Sequence, residues 1–231
     1  MNSFLKKIFF ICSSFCFFLF YAKAQTPDFS EIIQIHLWSE LDAYPELEEA
    51  HNTDSEIFEY SANRIKNLAP FLINGMVYGW NFKYTPSDKL RSVAESLEIR
   101  NISEIDFQKN PITYEKSWIQ DNFVHIWAKY TRTENQKKSF SAWKNINTKK
   151  TNGIGNASVK LGFNGITYAT KDAIRNGIRN FYRPIIKNKP KEISGKIIIT
   201  SEPKIGIVQG QYVVKLDFFL ETDRIVKYTM F

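Results

Sequence analysis

Five basic side chains recur at every fourth residue, Lys171, Arg175, Arg179, Arg183 and Lys187, inside the run TKDAIRNGIRNFYRPIIK. On an α-helix that spacing turns each side chain by about 40° from the one before, so the five wind slowly round one side. The chemistry they offer is capture of anions. Guanidinium groups grip carboxylates and phosphates through paired hydrogen bonds, and ammonium groups add compact charge. Trp143 joins them as a candidate contact, because it stands among polar and basic neighbours where an indole can lie on a sugar ring or at a membrane surface. These six residues form the expected binding set for an anionic partner.

The glycines just upstream, four between Gly153 and Gly165, raise the possibility of a phosphate cradle. A dinucleotide fingerprint requires a preceding strand and a helix that opens at the last glycine, and a Walker loop requires its lysine. Here the polar Lys149-Lys150-Thr151-Asn152 run comes first, no Walker lysine follows, and the helix start is expected at Thr170 with Asp172 in its first turn. The glycines therefore read as a turn-rich loop.

Other chemistries are mostly missing. His36, His51 and His125 stand on separate elements without metal-ligand spacing, and no Gly-x-Ser-x-Gly elbow, His-Glu-x-x-His pair or calcium loop occurs. Cys12 and Cys16 are the chain's cysteines, both within its first 24 residues. No metal, cofactor or catalytic residue is assigned, and the chain reads as a non-enzyme. One enzymatic alternative stays open, a glycan- or lipid-directed hydrolase with two carboxylates that meet in space, for which Asp88, Glu95, Glu98 and Glu115 are the possible members.

Charge is divided along the chain. Residues 25–63 hold ten acidic side chains and no Lys or Arg, whereas Lys129 to Lys191 holds fifteen basic residues against Glu134 and Asp172. Such a field attracts lipid headgroups, acidic glycans or an acidic protein. Lys6 and Lys7 followed by an uncharged run from Ile8 to Tyr21 and by Ala22-Lys23-Ala24 make residues 1–24 an expected secretory signal, so the chain is expected in the periplasm or cell envelope and nucleic acid is not an expected partner. Beyond residue 24 nothing is apolar for long enough to span a membrane as a helix, although peripheral contact stays possible. Counting back by twos from Phe231 gives Thr229, Lys227 and Ile225, which is no lipid-facing barrel strand.

The elements that must hold these residues follow from periodicity. Thr53-Asp-Ser-Glu56 is a capping box, and Ile57, Ser61, Ile65, Leu68 and Leu72 predict a helix to about Asn74, bent or ended near Pro70 and with Gly75 as its stop. Residues 76–84 predict a strand, residues 89–97 a short helix, and 112–118 with 123–131 a hairpin across Gln120-Asp121-Asn122. Residues from Tyr130 to Asn152 lack periodicity and read as a mobile excursion. In the helix expected after Thr170, Ile174, Ile178, Phe181 and Ile185 mark the buried face, with Pro184 near its end. Residues 196–231 predict about four strands broken at Glu202-Pro203, Gln209-Gly210 and Thr222-Asp223.

The expectation is an α+β fold of amphipathic helices on antiparallel sheet, with two αββ-type units. Its divisions are a signal (1–24), an acidic segment (25–52), a first unit (53–134), a basic glycine-containing linker (135–165) and a second unit with a C-terminal meander (166–231). The function expected first is an exported envelope protein whose basic segment contacts an anionic envelope component or an acidic protein. A subunit that assembles through its acidic segment is a further alternative.

Overall fold

The computed structural model describes residues 31–41, 54–144 and 147–228. The expected signal, residues 42–52 and the capping box at Thr53 lie outside the described residues. Three helices pack on two antiparallel sheets, so the α+β class is correct.

The smaller sheet orders β1 (Ile32–Glu40), β5 (Phe123–Thr131) and β4 (Thr113–Gln120). The expected hairpin is present, and its turn residues Asp121 and Asn122 both take positive φ, the pairing that matches the twist of a two-residue connection. Val124, Ile126, Ala128 and Tyr130 face inward with Ile33, Ile35 and Leu37 against α1 (Asp54–Val77). Ser61, Ile65, Leu68 and Leu72 are buried on that helix as their spacing predicts.

Helix α1 neither ends at Pro70 nor stops at Gly75, but runs through both to Val77. The donor that Pro70 lacks would serve the carbonyl of Lys66, and the Tyr114 hydroxyl donates to that carbonyl instead, at 3.5 Å. Gly75 is small because the indole of Trp80 lies on it: an added Cβ would stand 2.1 Å from the ring. The stop is Gly79, at φ +78, where the N–H groups of Tyr78 and Gly79 both return to the carbonyl of Asn74. Arg132, buried, donates from Nη2 to the Met76 carbonyl at 2.7 Å and lies over the Phe140 ring, placing positive charge at the helix's carbonyl end.

The larger sheet runs β3 (Ser96–Asn101), β2 (Trp80–Thr85), β7 (Glu192–Ile199), β9 (Gln211–Val226) and β6 (Lys149–Ser158), with β8 (Lys204–Val208) also on β9. Pairing of β2 with β7 joins strands of the two expected units in one sheet. The helix expected at 89–97 is replaced by a turn that Asp88 and Val93 close, followed by β3, whose Leu97 and Ile99 alternate inward against the core. At Thr222-Asp223 the expected break is instead a bulge: Ser194 pairs with Arg224 and Gly195 with Thr222, so β9 continues past it.

The described residues of the expected excursion and linker, which leave out 145 and 146, are largely helix and strand. Helix α2 (Glu134–Ala142) starts at a capping box between Thr133 and Gln136, and its short length hid it from periodicity. Gly153 and Gly155 lie on strand β6 rather than in a loop, whereas Gly162 takes positive φ in a turn and Gly165 lies in the helix that follows. A Cβ on Gly153 would lie 1.9 Å from the carbonyl oxygen of Ala173, and one on Gly155 would lie 2.1 Å from the Ala173 nitrogen. Those contacts are backbone of α3 (Asn164–Tyr182), so glycines here let a helix rest directly on a strand. Helix α3 starts at Asn164 rather than Thr170. Thr170 is buried inside it and donates to the Ile166 carbonyl at 2.8 Å. Ile174 and Ile178 are buried as expected and Phe181 is half-buried, but Ile185 lies beyond the helix end and is exposed.

Candidate functional site

Helix α3 seats its apolar face on β6 and β9, which turns the row of cations outward and toward β3. A cleft of about 370 Å³ opens where the end of α3 and the segment after it face β2 and the loop beyond β2. Its cationic lining is Arg179, Arg183, Lys187 and Lys189, and the carboxylate among them is Glu95. Ile186, Ile193 and two prolines, Pro86 and Pro190, supply apolar wall.

Glu95 is the organiser. The Tyr84 hydroxyl donates to its Oε1 at 2.6 Å, the Arg179 Nη1 donates to its Oε2 at 3.0 Å, and Arg175 stands 3.7 Å from the same oxygen. Burial first, and then this bond to Glu95, pushes the Tyr84 hydroxyl well above its ordinary range, so it stays a donor. Tyr182, also raised chiefly by burial, shares a hydrogen bond with Thr222 at the back of the cleft. Lys189 donates from Nζ to the Ser87 carbonyl at 2.8 Å and ties the two walls together. No carboxylate of a described residue pairs with Arg183 or Lys187, so the cleft keeps positive charge that Glu95 does not cancel.

Of the residues expected from spacing, Arg179, Arg183 and Lys187 meet in this cleft, and Arg175 reaches it through Glu95 and also pairs with Asp172. Lys171 is exposed near the other end of the helix and does not line it. Trp143 has the apolar company that its sequence neighbours denied it: it caps α2, is 8% exposed, and packs with Phe140 and Ile198. Lys189, Tyr84 and Tyr182 were not expected. Lys189 carried a signal, as the last lysine of the Lys187-Asn-Lys-Pro190 run, whereas Tyr84 and Tyr182 depend on pairing between distant elements.

The four acids considered for paired-carboxylate chemistry each stand beside a basic side chain rather than beside one another. Asp88 pairs with Arg91 at 2.7 Å, which holds its carboxyl below the usual carboxylate range, Glu98 stands 3.8 Å from Arg100, Glu115 stands 3.8 Å from Lys129, and Glu95 is held as above. Among the described residues no group of three or more His, Cys, Asp or Glu is placed to hold a metal ion, and no helix is long and apolar enough to cross a membrane.

A second cluster lies on the outer face of the smaller sheet. The Nε2 of His36 and Nδ1 of His125 are 3.1 Å apart, Trp118 stacks on both rings, and Trp127 tilts over His36. Burial, then His125, lowers the pKa of His36, against a smaller raising effect of Glu202. A histidine whose folded pKa lies below its unfolded value binds fewer protons folded than unfolded, so its contribution is present above about pH 6.5 and is lost as pH falls through that value toward the folded pKa. The melting temperature should therefore drop between about pH 7 and pH 5, and drop less in His36→Gln, as followed by circular dichroism in both proteins.

A protein-family model matches residues 20–228, nearly the whole chain. The chain belongs to that family. The chain is similar to an uncharacterized protein of Treponema pallidum (strain Nichols), 26% identical over 167 residues that cover 72% of this chain and 70% of the relative. No solved structure matches it.

Proposed function

We propose that this family member is an exported cell-envelope protein that binds an anionic envelope component, and that the cleft between α3 and β2 is where it binds. The observation that carries the reading is the charge of the cleft: Arg183, Lys187 and Lys189 line one wall with apolar residues behind them, while Glu95 is already satisfied by Tyr84 and Arg179. A cavity of this size sits at the small end of ligand sites, and a few convergent polar groups against an apolar wall are what such sites use. Arginine and lysine together favour a carboxylate, sulfate or phosphate over a neutral sugar. Arg179 stands on the last turn of α3 and Arg183 caps it, while Lys187 and Lys189 stand on the non-helical segment that follows, which the bond from Lys189 to the Ser87 carbonyl ties to the opposite wall.

The test separates the cleft from net charge. In Arg183→Glu/Lys187→Glu, binding to envelope fractions at low salt should fall by at least about tenfold. In Lys160→Glu/Lys171→Glu, which makes the same charge change on exposed side chains outside the cleft, binding should fall much less. Equal losses in the two variants would show a diffuse electrostatic effect and defeat the cleft as the site. Thermal melts confirm that both variants remain folded.

A further inference from the structure

Two exposed apolar side chains lie close in the chain to residues that line the cleft, Leu90 three residues after Ser87 and Ile185 just before Ile186. Leu90 is 95% exposed and Ile185 is 61% exposed. Leu90 stands in the turn closed by the Asp88–Val93 backbone pair, with Lys89 and Arg91 on either side of it, and Lys189 ties that turn's approach to the cleft through the Ser87 carbonyl. Ile185 immediately precedes Ile186, which lines the cleft. An isolated leucine at the tip of a closed turn, flanked by cations and beside a cationic cavity, is poorly made for another protein. Stable protein interfaces pack broad surfaces of about 800 Å² on each partner. A fluid acyl layer asks for something different: a few apolar side chains that dip below the headgroups while lysines and arginines stay among the phosphates.

Resting on the cleft reading above, we propose that the anionic component is the headgroup layer of a lipid membrane: a lipid phosphate enters the cleft against Arg183, Lys187 and Lys189 while Leu90 and Ile185 enter the acyl boundary. Charge complementarity selects the occupant. The cleft has several cations left uncancelled by its own carboxylate, a lipid phosphate supplies negative charge with acceptor oxygens, and the two exposed apolar anchors neighbour lining residues in the chain without lining the cleft themselves. The membrane is contacted at its surface, in keeping with the lack of a spanning helix among the described residues.

The purified chain is sedimented with vesicles of phosphatidylcholine alone and with vesicles that are about one-third phosphatidylglycerol, and its retention on a soluble sulfated polysaccharide resin is measured in parallel. Wild-type protein should sediment with the anionic vesicles and not with the neutral ones. Leu90→Ser/Ile185→Ser should weaken vesicle binding about tenfold and leave resin retention unchanged, because both side chains are exposed and neither is charged. Arg183→Glu/Lys187→Glu should weaken both. If the serine variant binds vesicles as wild type does, or if wild type is retained on the resin but ignores the vesicles, membrane docking is overturned and anion binding by the cleft stands. If the charge-reversed variant binds vesicles and resin like wild type, the cleft reading falls as well.

Discussion

Gly155→Val yields protein that fails to fold, with helix α3 lifted from its strand. A Cβ at position 155 would lie 2.1 Å from the Ala173 nitrogen and 2.2 Å from the Ala169 carbonyl oxygen. Both atoms are main chain in the middle of a helix, so no rotamer change can relieve the contact. The helix as a whole must move, which breaks its packing on β6 and β9 together with the burial of Ile174 and Ile178. Overpacking a core commonly costs a few kcal/mol, and a clash with fixed backbone on both sides belongs at the upper end, above about 4 kcal/mol. Against a total stability of about 5–15 kcal/mol, that is enough to deplete the native state. The matched control is Gly206→Ala in β8, where an added Cβ meets nothing within 4 Å. Its stability should stay within about 0.5 kcal/mol of wild type in urea titration. Equal behaviour of the two variants would mean that α3 is not seated on β6 as described.

Trp80→Ala should cost about 3–5 kcal/mol and lower the melting temperature by about 10 °C. Trp80 is fully buried, stacks on Phe71 with ring centroids 5.0 Å apart, and fills the space that Gly75 leaves open. Removing the ring leaves a cavity between α1 and β2. The same geometry predicts a coupling: Gly75→Ala is costly while the indole is present, because its Cβ would meet the ring at 2.1 Å, and cheap once Trp80 is alanine. Urea denaturation of the two single variants and the double variant measures this. Additive losses would mean that the indole does not press on Gly75.

The sequence carried the fold where an element's pattern is local. The alternation Val124, Ile126, Ala128, Tyr130 and the run Ile65, Leu68, Leu72 are readable because each residue's environment is set by the element's own period. It failed where the reason is tertiary. Gly75 reads as a stop only until Trp80 is placed on it, and Gly153 with Gly155 read as a loop because nothing nearby in sequence announces the helix backbone above them. Helix α2 is too short for periodicity to show, although Thr133 and Gln136 carried a capping signature. The site divides in the same way. Helical spacing brought out Arg179, Arg183 and Lys187, although α3 itself ends at Tyr182, and the partner that holds Arg179, Glu95, is 84 residues away. Trp143 misled because its sequence neighbours are polar, whereas its spatial neighbours, Phe140 and Ile198, are not.

Strand β9 is the hydrogen-bonding partner of β6, β7 and β8 alike, and it is the last of the described strands. As the chain emerges in order, β6 can find no ladder and α3 no finished floor until that late strand arrives. Closure of long loops by distant pairings slows such a fold, so the β6, β8 and β9 part of the larger sheet should assemble late, after the local pairing of β2 with β3.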